Sequence, residues 1–341
     1  MRFYDFVGND GAKELLAGAF DSGRVPHAFL IDGPAGSGRK MLAGIIAAAA
    51  VCESEGEKPC GRCRQCVNAF GGHHPDIALY TGTGAARSFS VDTVRSIRLA
   101  AYVAPNDAQR KVYILADAEQ MTEQAQNALL KILEEPPAFT LFVLTCDGRS
   151  RILPTVLSRA QLITLGPVRE EQAVEALLRR AEKNGETLSR QEALRASQLS
   201  GCLIGRAAEG LASGAFAEVS RLCTDFAQAV CGARPYEFLR LSGRLESNKA
   251  LAAAFYGVLP ELLRDAAVLK TAEGRQPMLL SGCGEEARLL ASRLPLARIV
   301  RLTDTALWMR AQADRYANAT LLLTAAFARL WQDAHGRPAA G

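Results

Sequence analysis

No run of about 18 apolar residues occurs in this chain of 341 residues, so a membrane-crossing helix is not expected. The start, Met1-Arg2-Phe3-Tyr4-Asp5, lacks the apolar stretch of a secretory leader. Both absences favour a cytoplasmic protein. A strong charge of either sign is missing as well: the formal net charge is +4. That value neither demands nor excludes a nucleic-acid partner, because a basic face can hide in a balanced total. Internal repeats and low-complexity tracts are absent too. A disulfide framework is not expected, since nine cysteines are an odd number in a chain without a leader.

What is present is apolar and patterned. Hydrophobic residues make up 49% of the chain, enough for packed cores, and the length suits two or three domains. Residues 1–165 alternate short apolar runs with helical patterns. Ala28-Phe29-Leu30-Ile31, Ile77-Ala78-Leu79-Tyr80, Val112-Tyr113-Ile114-Leu115, Leu141-Phe142-Val143-Leu144 and Leu162-Ile163-Thr164 read as strands. Helical patterns fill the gaps, among them Val91 to Val103 and Glu123 to Glu134. Strands alternating with helices predict a mainly parallel sheet covered on both faces. The pattern changes near Gly166-Pro167. Residues 169–212 read as three helical segments, broken at Asn184-Gly185 and Ser200-Gly201. From 214 to 337 the chain reads as helical throughout, with breaks at Gly232-Ala233-Arg234-Pro235, Gly274, Gly282 and Pro295. The last residues, from Gly336 to Gly341, read as a frayed tail.

Between the first strand and its following helix lies Gly33-Pro34-Ala35-Gly36-Ser37-Gly38-Arg39-Lys40. This follows the phosphate-loop frame G-x-x-x-x-G-K-[ST] up to its second glycine. Arg39 then stands where the lysine belongs, and Lys40 where the magnesium-binding hydroxyl belongs. A second departure matches the first. The strand at Val112–Leu115 should end on a metal-binding aspartate followed by a carboxylate base, and it ends on Ala116 and Asp117, with Glu119 beyond. The metal-binding group is missing from both halves of the site. The backbone N–H groups of Gly36, Gly38 and the helix start could still attract an anion, so ATP or ADP binding reads as weak to absent. The glycines could also serve only as a tight turn.

Cys52, Cys60, Cys63 and Cys66 form a four-thiolate set within residues 52–66. Two overlapping C-x-x-C units suit tetrahedral zinc, and with every ligand position filled the role is structural. Redox activity or an iron–sulfur cluster is the alternative. Gly61 eases the turn between the pairs. His73 and His74 lie outside the complete ligand set, as supporting or surface residues. The scattered Cys146, Cys202, Cys223, Cys231 and Cys283 read as small buried apolar residues.

Two arginines stand out. Arg159, in Leu157-Ser158-Arg159-Ala160, ends a short helix before the last strand; it is either a surface ion pair or a residue acting outside its own domain. Arg206, in Gly205-Arg206-Ala207, could face the nucleotide cleft from a helical domain.

These segments, with Met121-Thr122-Glu123, the run Asn127-Ala128-Leu129-Leu130-Lys131-Ile132-Leu133-Glu134-Glu135-Pro136-Pro137 and Leu153-Pro154-Thr155-Val156-Leu157-Ser158-Arg159, resemble the bacterial clamp-loader subunits of the AAA+ class. The resemblance is strong over residues 1–210. It implies an AAA+ P-loop domain over 1–166 with a zinc module at about 52–66. A helical lid would follow over 167–212 and a helical collar over 213–337. It implies gamma/tau and delta clamp-loader subunits as partners, and through the complex the sliding clamp and primed DNA of replication. The degenerate loop points to the ring's stator rather than its gamma/tau motor, a subunit of the DNA polymerase III holoenzyme with no need of its own ATPase activity. Arg159 resembles the serine-arginine finger that reaches a neighbour's ATP, with Ala160 in place of the usual cysteine. Arg206 resembles the lid sensor arginine, and Thr145 lies at the first sensor position. Two other readings stay open. In one, Lys40 replaces the missing lysine of an active motor, although a one-residue shift turns a helical side chain by about 100°. In the other, the cysteine module binds nucleic acid through Arg62 and Arg64.

Overall fold

The structure, a computed structural model, describes residues 1–82, 89–272, 279–313 and 319–336. The expected break at Gly274 and the expected tail beyond Gly336 lie outside the described residues. The chain divides into two compact units, one of Met1–Gln172 with Leu203–Arg206, the other of Ala173–Cys202 with Ala207–Gly341.

The first unit is built from α1 (Asp10–Asp21), β1 (Ala28–Asp32), α2 (Arg39–Val51), α3 (Arg64–Phe70), β2 (Ile77–Tyr80), α4 (Val91–Ala101), β3 (Lys111–Leu115), α5 (Glu123–Glu134), β4 (Thr140–Cys146), α6 (Pro154–Leu157) and β5 (Gln161–Thr164). All five strands pair in parallel, in the order β2-β3-β4-β1-β5. The strand positions and the parallel arrangement are those expected from the apolar runs.

Alternate residues of each strand feed alternate faces. Leu30, Tyr113, Phe142 and Leu144 pack on one face with Val94 and Ile97 of α4 and Leu129 and Leu133 of α5. Phe29, Ile31, Val112 and Val143 pack on the other with Leu16 of α1 and Leu42, Ile45 and Ile46 of α2. Burial on both sides is why these strands lack polar alternation. The Tyr113 and Phe142 rings stack on neighbouring strands with centroids 5.5 Å apart. Thr122 starts α5, its hydroxyl accepting the Ala125 N–H at 3.2 Å.

Beyond β5 no strand occurs among the described residues. The chain continues as α7 (Glu170–Asn184), α8 (Arg190–Leu199), α9 (Ile204–Ala212), α10 (Ala215–Cys231), α11 (Pro235–Ser247), α12 (Lys249–Thr271), α13 (Gly284–Arg293), α14 (Leu296–Ala313) and α15 (Ala319–His335). The second unit's core gathers Phe226, Phe238, Phe255 and Phe327. Its one fully buried carboxylate among the described residues, Asp265, accepts the Leu280 and Ser281 N–H groups and so ties that loop to α12.

The nine cysteines are free thiols. Of the scattered five, Cys146, Cys223 and Cys283 are buried as expected, whereas Cys202 and Cys231 are only half-buried. Among the described residues no helix is long and apolar enough to cross a membrane.

The stacked pair at the middle of the sheet gives a direct measure of that core. Phe142→Ala is expected to cost about 3–5 kcal/mol, read as a lowered urea midpoint at unchanged slope.

Candidate functional site

β1 delivers the chain to Gly33, whose N–H donates to the Cys146 carbonyl at 3.2 Å. A Cβ there would sit 2.7 Å from the Leu165 carbonyl oxygen, so a residue with a side chain does not fit. Gly36 and Gly38 have φ of +87° and +94°, in the left-handed region that favours glycine. The Gly205 N–H donates to the Gly36 carbonyl at 2.9 Å. A side chain at Gly36 would meet the Arg206 backbone nitrogen at 2.6 Å. Arg206 therefore approaches the loop through its main chain. The glycine frame and the helix N-terminus of a phosphate loop are intact.

The side chains are arranged otherwise. Arg39 is buried, and its Nη2 lies 3.8 Å from Asp117 while its Nη1 lies 4.0 Å from Asp147. Lys40 is exposed and pairs with the other oxygen of Asp117 at 2.9 Å. Asp117 is set by the end of β3. Its N–H donates to the Thr145 hydroxyl of β4 at 3.1 Å, and its φ is +58°. Ala116 before it is fully buried and offers no oxygen. So the loop's two cations face the chain's own carboxylates. Cys146, at the same end of the sheet, is no nucleophile. Burial, together with the Asp32 carboxylate that accepts its S–H at 3.5 Å, pushes the thiol up to about 12.

Arg159 lies elsewhere. It comes just before β5, and β5 runs parallel to β1 with Gln161 beside Phe29 and Thr164 beside Asp32. The loop leaves the far end of β1. Arg159 is thus separated from it by on the order of 13 Å of strand, at about 3.3 Å per residue. Its guanidinium pairs with Glu134 at the end of α5 at 2.7 Å and donates to the Thr155 carbonyl at 2.9 Å and the Ser158 hydroxyl at 3.2 Å. The ion pair is half-exposed, so it orients more than it stabilises. Sequence reasoning missed the residue that places this segment. Gln126, buried in α5, donates to the Arg151 carbonyl at 2.9 Å and accepts the Leu153 N–H at 2.8 Å. A polar residue on the apolar face of α5 was the available signal.

The four cysteines converge. The sulfurs of Cys52, Cys60, Cys63 and Cys66 all lie within 4.8 Å of one another. Cys52 caps the end of α2 and Cys63 the start of α3. Backbone N–H groups point at sulfur in three places: Cys60 N–H at Cys52, Cys63 N–H at Cys60, and Cys66 N–H at Cys63, at 3.3–3.4 Å. The thiols differ. The N–H groups of Arg62 and Cys63 pull Cys60 down to about 6, while burial pushes Cys52 and Cys66 up. Four thiolates this close cannot ionise together without a cation among them, so the set could hold a metal. Gly61 turns the chain with φ of +74° against the Tyr4 ring, and the Tyr4 hydroxyl donates to the Pro59 carbonyl at 3.0 Å.

A buried polar chain ties this module to the sheet. Gln65, next to Cys66, donates to Glu53 at 2.9 Å and to the Asp107 carbonyl at 3.1 Å. The His74 ring shares a 2.8 Å bond with Gln65, and its Nδ1 accepts the Asp76 N–H at 3.0 Å. His74 must therefore carry its proton on Nε2. Burial pushes Asp76 up, but N–H groups of Asn106, Asp107 and Ala108 outweigh this and leave its carboxyl below the ordinary value. His73 is exposed, whereas His74 is a buried support; only the first is a surface residue. Arg64 pairs with Asp107 at 3.3 Å.

A parallel sheet in this order, a glycine loop after its β1 strand and an acidic turn after β3 define an AAA+-like P-loop fold. The family described as DNA polymerase III, delta subunit matches residues 8–169. The delta' subunit of Bacillus subtilis is 32% identical over 165 residues, covering 48% of this chain and 50% of that protein. The delta' subunit of Escherichia coli is 35% identical over 201 residues, covering 59% and 58%. The gamma/tau subunit of Mycobacterium bovis is 35% identical over 158 residues, covering 46% and 27%. The chain spans about half the length of the delta' relatives it matches. Over residues 8–169 the chain is similar to delta and delta' subunits of DNA polymerase III.

His74 gives a pH test of the module's attachment. Burial holds its proton affinity below the ordinary value of 6.5, so the folded state binds fewer protons than the unfolded one. That stability is present above about pH 6.5 and is lost as pH falls below it. The urea midpoint should drop between pH 8 and pH 5.5, and the drop should be smaller in His74→Gln.

Proposed function

We propose that the chain is a non-hydrolysing, delta-prime-type stator of a bacterial clamp loader, helping to place the sliding clamp on primed DNA. The observation that carries this reading is the disarmed loop. Lys40 replaces the metal-binding hydroxyl and is paired to Asp117, while Ala116 replaces the metal-binding carboxylate. Phosphoryl transfer needs that metal between the phosphates, so the chain's own loop is unsuited to it. Arg159 stands at the other end of the sheet, out of reach of that loop, and this favours action on a neighbouring gamma/tau subunit's ATP. The lid over 167–212 and the collar over 213–337 would join it to gamma/tau and delta. A sensor role for Arg206 is supported by the approach of its backbone to Gly36.

The module at Cys52, Cys60, Cys63 and Cys66 is proposed to hold structural zinc. Zn–S bonds of about 2.3 Å in a tetrahedron place sulfurs roughly 3.8 Å apart, and the Cys60 and Cys66 sulfurs lie 4.0 Å apart. The N–H groups aimed at three sulfurs suit thiolate ligands. Zinc would neutralise the thiolates and close the 52–66 segment; it would take no part in catalysis.

Two outcomes are expected. The isolated chain shows no ATP turnover, and in a loader reconstituted with gamma/tau and delta, Arg159→Ala silences the site it serves, for which such an arginine is worth about 10³–10⁵ in rate. An unchanged reconstituted rate sinks the trans role, and DNA-stimulated hydrolysis by the chain alone would restore the motor reading through Lys40. Separately, metal analysis should find a single zinc per chain. Cys66→Ser should lose it and expose the 52–66 segment to proteolysis; a metal-free, protease-resistant wild type overturns the assignment.

A further inference from the structure

The loop keeps everything about a phosphate site that the backbone supplies. Gly36 and Gly38 hold positive φ, and the loop opens α2, which is 13 residues long and carries a partial positive charge at its N-terminus. It also keeps two cations. The Nη1 of buried Arg39 has no hydrogen-bond partner, and neither has the buried Ser37 hydroxyl. These are groups that an anion would satisfy. What differs is the surrounding charge. Asp117 touches Lys40 and lies near Arg39, and Asp147 lies near Arg39 on its other side. Asp32 and Glu119 add their fields at Cys146 beside them. Two carboxylates thus lie within 4.0 Å of the two cations, where a polyphosphate would itself bring several negative charges.

We propose that Asp117 and Asp147 determine the specificity of this loop by excluding phosphate: their carboxylates occupy the positions at Arg39 and Lys40 that the phosphates of a nucleoside di- or triphosphate would take. The inference rests on the reading of the loop as degenerate and deepens it. Loss of the metal ligands removes hydrolysis, but it does not by itself remove affinity, because a lysine or arginine and a helix N-terminus bind phosphate without a metal. Exclusion needs an opposing group, and Asp117 is held in place for it. Its N–H is fixed by Thr145, and its carboxylate pairs with Lys40 and lies near Arg39. Neutralising these carboxylates should uncover a metal-independent polyphosphate site that binds without turnover.

The test measures pyrophosphate and ADP binding to the full chain by calorimetry in EDTA at low salt. Wild type is compared with Asp117→Asn, Asp147→Asn and the double variant, and thermal melts establish that each is folded. Expected is at least about tenfold tighter binding in Asp117→Asn than in wild type, equivalent to 1.4 kcal/mol. The double variant should bind tighter still, and adding Arg39→Gln should abolish the gain. Asp147 is half-exposed, so its variant remains informative if Asp117→Asn fails to fold. Folded variants that bind no better than wild type overturn the inference and leave the stator reading intact. Tight binding by the wild type overturns the inference together with the degenerate-site reading.

Discussion

Burial of the parallel sheet on both faces is the constraint from which the site follows. Each strand must hand apolar side chains to α1 and α2 on one side and to α4 and α5 on the other. No strand can then carry chemistry along its length, so polar groups collect where the strands end. Parallel pairing puts Asp32 and Gly33, Ala116 and Asp117, and Thr145 to Asp147 at a single end of the sheet. The Thr145 hydroxyl that positions Asp117 and the Cys146 carbonyl that anchors Gly33 are consequences of register between β1, β3 and β4.

The same pairing separates Arg159 from that end. β5 begins beside Phe29, near the start of β1, so the residue before it emerges at the opposite end of the sheet from the loop. Gln126 and Glu134 of α5 hold the segment and its guanidinium there. One domain therefore carries paired cations at the loop and an oriented arginine at the opposite end of the sheet.

Much of this was legible in the residues. Five apolar runs became five strands, and Glu123–Glu134 became a helix of those bounds, because two-sided burial and a Thr122 cap both leave a local signature. The four cysteines converge because their spacing within a short segment allows little else. The loop's departures at Arg39, Lys40 and Ala116 were also plain, since a motif fixes where each group must stand. Contacts between residues far apart in sequence were not legible. The pairing of Lys40 with Asp117 and of Arg159 with Glu134 depends on strand order and on where helices end. His74 read as a supporting or surface residue outside the ligand set, and it is the buried joint between the cysteine module and the sheet.

That joint bears on how a cysteine cluster can sit beside a hydrophobic core. The module is attached at Cys52, the residue that caps the end of α2, and at Cys66, buried against the Ala48 carbonyl of the same helix. Between these anchors it has few apolar residues to bury. Gln65, His74 and Asp76 supply direction instead, each with its hydrogen bonds satisfied and each reaching a different backbone segment. A buried polar chain of this kind stabilises little on net but penalises any other arrangement, because shifting one member leaves another unpaired in an apolar setting. Placement of the cluster is therefore determined by the cost of misplacing it, in the same way that Asp117 is placed by Thr145 at the other end of α2.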